Sequence, residues 1–317
     1  MNSTFQPSVE SHQMLAPLPM ETEALAERAR KTWSSRAGTI ISFSLLAAAL
    51  WQCRDLDLSI LTRMVPVTIG FWLIYALYYL ANPISEWVIF RRLWRLPPTG
   101  IIPLLRKKVS NELILGYLGE VYFYSWARRH SQIASAPFGA IKDVAILSAM
   151  VGNLVTLAMF AAGAPLFSAL YSQVDLSISQ RTVVLSLAFL ALTSTLVLFL
   201  RRQILSLPLR ELMFIAVVHV LRIIASIGLL ALLWHLALPD VPLVWWSLLA
   251  LLRQLVSRLP FVPNKDVVFA SIAIFLLGED TQIGALMALI AAIVLATHLV
   301  VALALGIAGL VRKEQQP

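Results

Sequence analysis

Between Thr281 and Leu310 the chain carries no Asp, Glu, Lys or Arg, and the same holds from Val144 to Val174 and from Thr182 to Leu200. Uninterrupted Leu, Ala, Val and Ile over such lengths suits the hydrocarbon of a bilayer, which a helix crosses with about 20 apolar residues. A soluble core has no need of several such runs. Only 13% of the residues are charged and mean hydropathy is +0.80, where soluble chains carry about 25% charge. A transmembrane barrel would instead show strands of about 10 residues with alternating polarity, a pattern this sequence lacks. The expectation is an all-α polytopic membrane protein of about eight spans, at 38–53, 64–82, 143–162, 182–200, 212–238, 243–258, 266–277 and 281–310. Residues 1–37 read as a polar tail, 38–312 as a single helical transmembrane domain and 313–317 as a short second tail. No apolar run precedes a small-residue cleavage site in 1–37, so that tail is expected to be retained. Its helix-prone part, Glu21 to Trp33, either lies on the membrane surface or is solvated.

Two apolar segments are interrupted in the same way. Val109-Ser110-Asn111-Glu112 leads through Gly116 and Gly119 to Glu120-Val121, and Val256-Ser257-Arg258 leads through Pro260 and Pro263 to Asp266-Val267. Each opens on Val-Ser, breaks at Gly or Pro, and resumes at an acid followed by Val. An unpaired N–H or C=O is costly at membrane depth, so breaks persist only where they line a cavity or pack on protein. Matched breaks in two halves of a chain point to a transporter-like binding site. Span 266–277 is too short to cross alone and pairs with the Pro260–Pro263 break as a discontinuous element. The stretch 109–127 has polar residues inside and basic residues on both flanks, so it reads as re-entrant or interfacial.

If that stretch does not cross, 21 of the 25 Lys and Arg gather on one side, in 1–37, 83–108, 128–142, 201–210, 253–265 and the C-terminus. This is the positive-inside pattern, which places both termini in the cytoplasm. The net charge of +8 is then a matter of topology, and no aromatic-interleaved basic patch supports nucleic-acid binding. Trp51, Trp87, Trp94, Trp234, Trp245 and Trp246 fall near span ends and read as an interfacial belt. Cys53 is the only cysteine, which excludes an internal disulfide and a multi-cysteine metal site. No HExxH, GxSxG, Walker or GxGxxG pattern occurs, so neither an enzyme activity nor a cofactor is expected.

Arg222 lies inside the fifth span, where a cation costs at least about 2.5–3.5 kcal/mol unless it faces a cavity or a partner. His219 and Ser226 share its helical face. That stripe can hold a phosphate or carboxylate, since Arg offers a fork of donors; the competing reading is a buried pair with Glu120 or Asp266. Those two acids occupy equivalent places after the breaks. They either cap the following helices or serve as charge-coupling groups opposite Arg222 or Arg258. Arg258 and Lys265 bracket the second break and can receive a lipid phosphate, although basic residues are ordinary at an inner boundary. Asn111 and Glu112 either satisfy open backbone at the first break or meet polar headgroups. Lys142-Asp143 reads as a boundary pair, His298 as a packing residue and His235 as interfacial.

The order of these pieces, Asn111 through Gly119-Glu120 and then Ser257-Arg258-Leu259-Pro260-Phe261-Val262-Pro263 through Asp266, resembles the flippase-like transmembrane domain of the lysylphosphatidylglycerol synthase family. The resemblance covers about 38–310 and departs at Asn264-Lys265, where that family has glycines, and before Glu120, where it has Pro-Gly. It implies translocation or binding of an anionic lipid or lipid-linked glycan in a bacterial cytoplasmic (inner) membrane. It does not extend to a soluble aminoacyl-transfer domain. The substrate-binding set would be Arg222, Arg258, Lys265, Asn111 and His219, with Glu120 and Asp266 coupling charge. The partners would be membrane lipids with anionic headgroups, and an envelope-biosynthesis protein is a further candidate. Two alternatives stand beside this one: a non-transporting membrane subunit that regulates an envelope lipid or polysaccharide enzyme, and a secondary transporter of a small anion.

Overall fold

Proline punctuates the chain. Pro137 opens one long helix, and Pro208 and Pro242 stand immediately before two others; there a missing N–H costs nothing and the ring fixes a helical φ. A computed structural model describes residues 65–113, 118–129, 137–173, 179–261, 265–277 and 283–314, without the side chains of 166–173, 266–267, 270–271, 283–284 and 306–314. The tail 1–37, the span 38–53, Trp51 and Cys53 lie outside the described residues.

Every regular element among the described residues is helical: α1 (Ile69–Trp94), a 3₁₀ turn (Pro98–Gly100), α2 (Ile101–Leu113), α3 (Leu118–Arg129), α4 (Pro137–Gln173), α5 (Gln180–Phe199), the single turn α6 (Arg201–Ile204), α7 (Leu209–Ala237), α8 (Leu243–Arg258), α9 (Lys265–Leu277) and α10 (Ile283–Glu314). Four stretches are long and apolar enough to cross a membrane: Pro137–Pro165, Gln180–Phe199, Leu209–Ala237 and Ala285–Leu305. Their outward surfaces agree with that. Val184, Leu192 and Phe199 on α5, Met213, Val217, Leu221 and Ile224 on α7, and Val300 and Leu303 on α10 are all exposed. Apolar exposure on this scale marks a surface that meets lipid or protein rather than water.

Both interruptions are present. α2 ends at Leu113 and α3 starts at Leu118; α8 ends at Arg258, turns at Pro260-Phe261, and α9 starts at Lys265. The expected span 64–82 differs most. It becomes α1, which runs through Pro83 to Trp94, so most of the stretch read as a basic loop from 83 to 108 is helix. Proline removes the donor that would reach the carbonyl four residues back. That carbonyl, Tyr79 O, accepts instead from Lys108 Nζ at 2.5 Å, which closes the gap in the ladder. The interfacial reading also fails for two tryptophans: Trp234 and Trp246 are both 0% exposed, 5.8 Å apart, with Trp234 stacked on Phe269.

α7 runs through the centre, packed on α1, α8 and α4. The buried apolar side chains fall into two clusters. One gathers the start of α1 (Phe71, Tyr75, Tyr79), the end of α7 (Leu230 to Trp234) and residues of α8, α9 and α10. The other gathers the end of α1 (Ile89, Phe90), the start of α7 (Leu212, Ile215) and residues of α2, α3 and α4. α1 and α7 are therefore antiparallel and pass through both. Between the clusters lie Asn82, Pro83 and Glu86 of α1 and His219 and Arg222 of α7. The bundle has a polar waist.

Candidate functional site

Arg222 is the fourteenth residue of the 29-residue α7, about 20 Å from either end at 1.5 Å per residue. Its guanidinium turns into the bundle. Nη1 donates to Asn82 Oδ1 of α1 at 2.5 Å, and Nη2 donates to Ser148 Oγ of α4 at 3.2 Å. Among the described residues no carboxylate pairs with it directly; Glu86 and Arg258 are its charged neighbours. A guanidinium has five N–H donors, so these two neutral oxygens leave three without a described partner. The expected buried pair with Glu120 does not form.

His219, one turn earlier, is 0% exposed and neither ring nitrogen has a hydrogen-bond partner in ordinary geometry. The Val144 backbone lies close enough to interact, and Arg222 and Lys107 are the charges it feels. Ser226 is half-buried on the same face. Arg258 reaches the waist from the second break. Its guanidinium lies against Gly152 of α4, so close that a Cβ there would stand 2.7 Å from Arg258 Cζ. Gly152 thus leaves the room that lets this cation enter.

The first break is stitched by a different set. Lys107 of α2, 4% exposed, donates to Glu86 Oε1 and Oε2 at 2.8 and 2.9 Å and pairs with Glu120 Oε1 at 3.3 Å. One ammonium therefore ties α1, α2 and α3 together. Burial works against its charge, but the two carboxylates outweigh that and hold its pKa above the usual lysine value. For Lys108, burial wins over the opposing pull of Glu112 and brings the pKa down to about 8. Gly119 packs on the Lys107 carbonyl so tightly that a Cβ would lie 2.1 Å from that oxygen, and its N–H donates to Asn111 Oδ1 at 2.7 Å. Of the readings open for Asn111, the structure displays the one that satisfies backbone at the break.

The remaining candidates divide. Glu120 lies in the first turn of α3, where it faces Lys107, and its Oε2 has no hydrogen-bond partner. Asp266 is the second residue of α9, and its side chain lies outside the described set. Lys265 donates to Ser257 O at 2.9 Å, closing the end of α8. His298 bonds Tyr79 Oη at 2.9 Å, and His235 meets Val241 O at 3.0 Å. Asp143, read as a boundary acid, is 0% exposed and accepts from the Ser206 and Leu207 N–H groups at 2.6 and 2.8 Å; it anchors the linker into α7.

Asn82, Glu86 and Lys107 were missed in the sequence. The available signal was Asn82-Pro83 followed by Glu86 inside an otherwise aromatic and aliphatic run. Comparison with protein-family models, curated protein sequences and solved structures finds no match. What the fold defines is a class: a chain helical throughout its regular elements among the described residues, whose apolar helices suit a membrane and whose ionisable side chains meet inside the bundle.

Proposed function

We propose that this chain is a multi-pass membrane protein that binds the phosphate of an anionic lipid or lipid-linked glycan at the polar waist and carries it across the bilayer. One observation carries the reading: Arg222, midway along a spanning helix, is held by Asn82 and Ser148 with no direct carboxylate partner among the described residues. A cation in hydrocarbon costs several kcal/mol unless something offsets it, and a phosphate oxygen would offset it while occupying the remaining donors. His219 adds one ring N–H donor one turn away, and Arg258 brings a second cation within electrostatic reach. Glu86, Lys107 and Glu120 form the rigid wall beside them.

On this reading the chain has about eight spans with both termini cytoplasmic, in a bacterial inner membrane. α2–α3 enters and leaves from the inner face, and α8–α9 is the discontinuous element. Purified protein in lipid vesicles should move a headgroup-labelled anionic phospholipid between leaflets. Arg222→Ala should lower that rate at least about tenfold, the worth of one charge-assisted hydrogen bond. Arg222→Lys should recover only part of it, because a point charge does not replace the fork. Equal rates for wild type and Arg222→Ala would remove the assignment.

A further inference from the structure

α5 is the least buried of the four apolar spans among the described residues, with 17% of it inside against 22–33% for the others. It packs mainly on α4, and between the two helices runs an open groove of about 250 Å³. Ala145, Ala149 and Asn153 of α4 line it at four-residue intervals, which sets them on one ridge. Small residues spaced in this way let a second helix backbone come close. The groove continues toward the start of α4, where Ala145 and Ile146 also line an apolar pocket against Tyr124 of α3. A helix laid along α4 from Phe138 to Asn153 would cover fifteen positions, about 22 Å. The deep end of the groove is polar. Asn153 lies two residues past the middle of the Pro137–Pro165 span and is half-buried. Its carboxamide makes one long contact, Nδ2 donating to Thr193 Oγ1 at 3.4 Å, and its Oδ1 accepts nothing among the described residues. Ser194, 1% exposed, lines the same stretch, and its hydroxyl has no partner. At that depth neither water nor an acyl chain supplies a donor or acceptor, so the partner has to be protein.

We infer that two copies of this chain pair in the membrane along α4 and α5, with Asn153 of each copy hydrogen-bonded to Asn153 of the other. The occupant follows from the chemistry of the amide and from symmetry. A carboxamide carries a donor and an acceptor at one end, so two of them facing each other exchange two hydrogen bonds. A two-fold axis along the bilayer normal leaves both copies in the same orientation and makes the interface one patch against itself. It also puts both Asn153 side chains at one depth without any further condition. A different protein would need a polar group of its own at that level. In the pair each α4 enters the α4–α5 groove of the other copy, and the two α5 helices flank the seam. This reading stands apart from the Arg222 assignment. Ser148 and Gly152 turn to the waist from another face of α4, and none of the groove residues bonds Arg222.

The test uses the full chain, purified and reconstituted in vesicles at high lipid excess, in a Cys53→Ala background that removes the only cysteine. Ala149→Cys, one turn from Asn153 and exposed, should form a disulfide-linked dimer on mild oxidation. Leu221→Cys, at a site 60% exposed on α7, should stay monomeric under the same oxidation. Energy transfer between copies labelled with donor and acceptor on a C-terminal tag gives the dissociation constant of the pair. Asn153→Leu should raise that constant about tenfold, the worth of two interhelical hydrogen bonds. Asn153→Gln, which keeps the amide, should raise it less. A chain that stays monomeric in bilayers would leave the groove to an acyl chain or to another protein and overturn the inference. Equal cross-linking at the two cysteine positions, or a dissociation constant unchanged in Asn153→Leu, would overturn it as well.

Discussion

Gly119 shows how much one side chain decides. A methyl at that position would stand 2.1 Å from the Lys107 carbonyl oxygen, and backbone cannot move aside as a flexible side chain can. Gly119→Ala should therefore part α2 from α3, at a cost of about 1–3 kcal/mol, read as a lowered melting temperature in detergent. The neighbouring Lys107 neutralises two carboxylates at once. Lys107→Met would leave Glu86 and Glu120 facing each other without a cation, and breaking a buried pair in this way costs about 3–5 kcal/mol. Adding Glu86→Gln to Lys107→Met should restore part of the loss. Lys108 contributes a pH dependence. Its pKa of about 8 lies below the usual 10.5 because burial disfavours the ammonium, so the unfolded chain holds more protons between those values. Stability contributed by this residue should rise from about pH 8 to 10.5 and be flat below. Unfolding midpoints of wild type measured against Lys108→Met across that range would show whether the difference narrows as expected.

At the scale of elements, both breaks were legible because Gly or Pro followed by an acid leaves a pattern that needs no partner to be seen. The end of α8 at Arg258 and the start of α9 at Lys265 fall where the prolines put them. The α1 extension was not legible, since a proline after Asn82 looks locally like a stop. What keeps the helix going is Lys108, 29 residues from Tyr79, and no local rule contains that contact. Tertiary pairing likewise moved Lys107 from a basic loop into the bundle. Trp234 and Trp246 misled for the same reason: near span ends tryptophan usually marks the interface, but here α7 and α8 fold onto each other and bury both. The linker into α7 is held by Asp143. Asp143→Ala would leave the Ser206 and Leu207 N–H groups open, at about 1–3 kcal/mol for a buried group without its partner. Faster amide exchange over 205–207 and easier proteolysis after Arg201 and Arg202 should follow, with α7 itself unaffected.

For the whole molecule, two apolar clusters sandwich a polar layer, and the long helices α1 and α7 cross it in opposite directions. Such an arrangement costs more than a continuous apolar core, because every polar group in the layer must be partnered in a place without water. The partners that exist are specific: Lys107 to Glu86 and Glu120, Arg222 to Asn82 and Ser148. The donors left over on Arg222 and one ring N–H of His219 are what a bound anion would use. Arg222 itself was legible, as a lone cation in an apolar run. Its surroundings were not, since they come from α1 and α4. The most direct measurement is a through-space ³¹P–¹⁵N contact by solid-state NMR, between lipid phosphorus and the guanidinium of protein labelled at arginine, in bilayers containing an anionic phospholipid. The account predicts a contact that disappears in Arg222→Lys while bound lipid persists. No difference between the two proteins, with anionic lipid present and the fold intact, would contradict it.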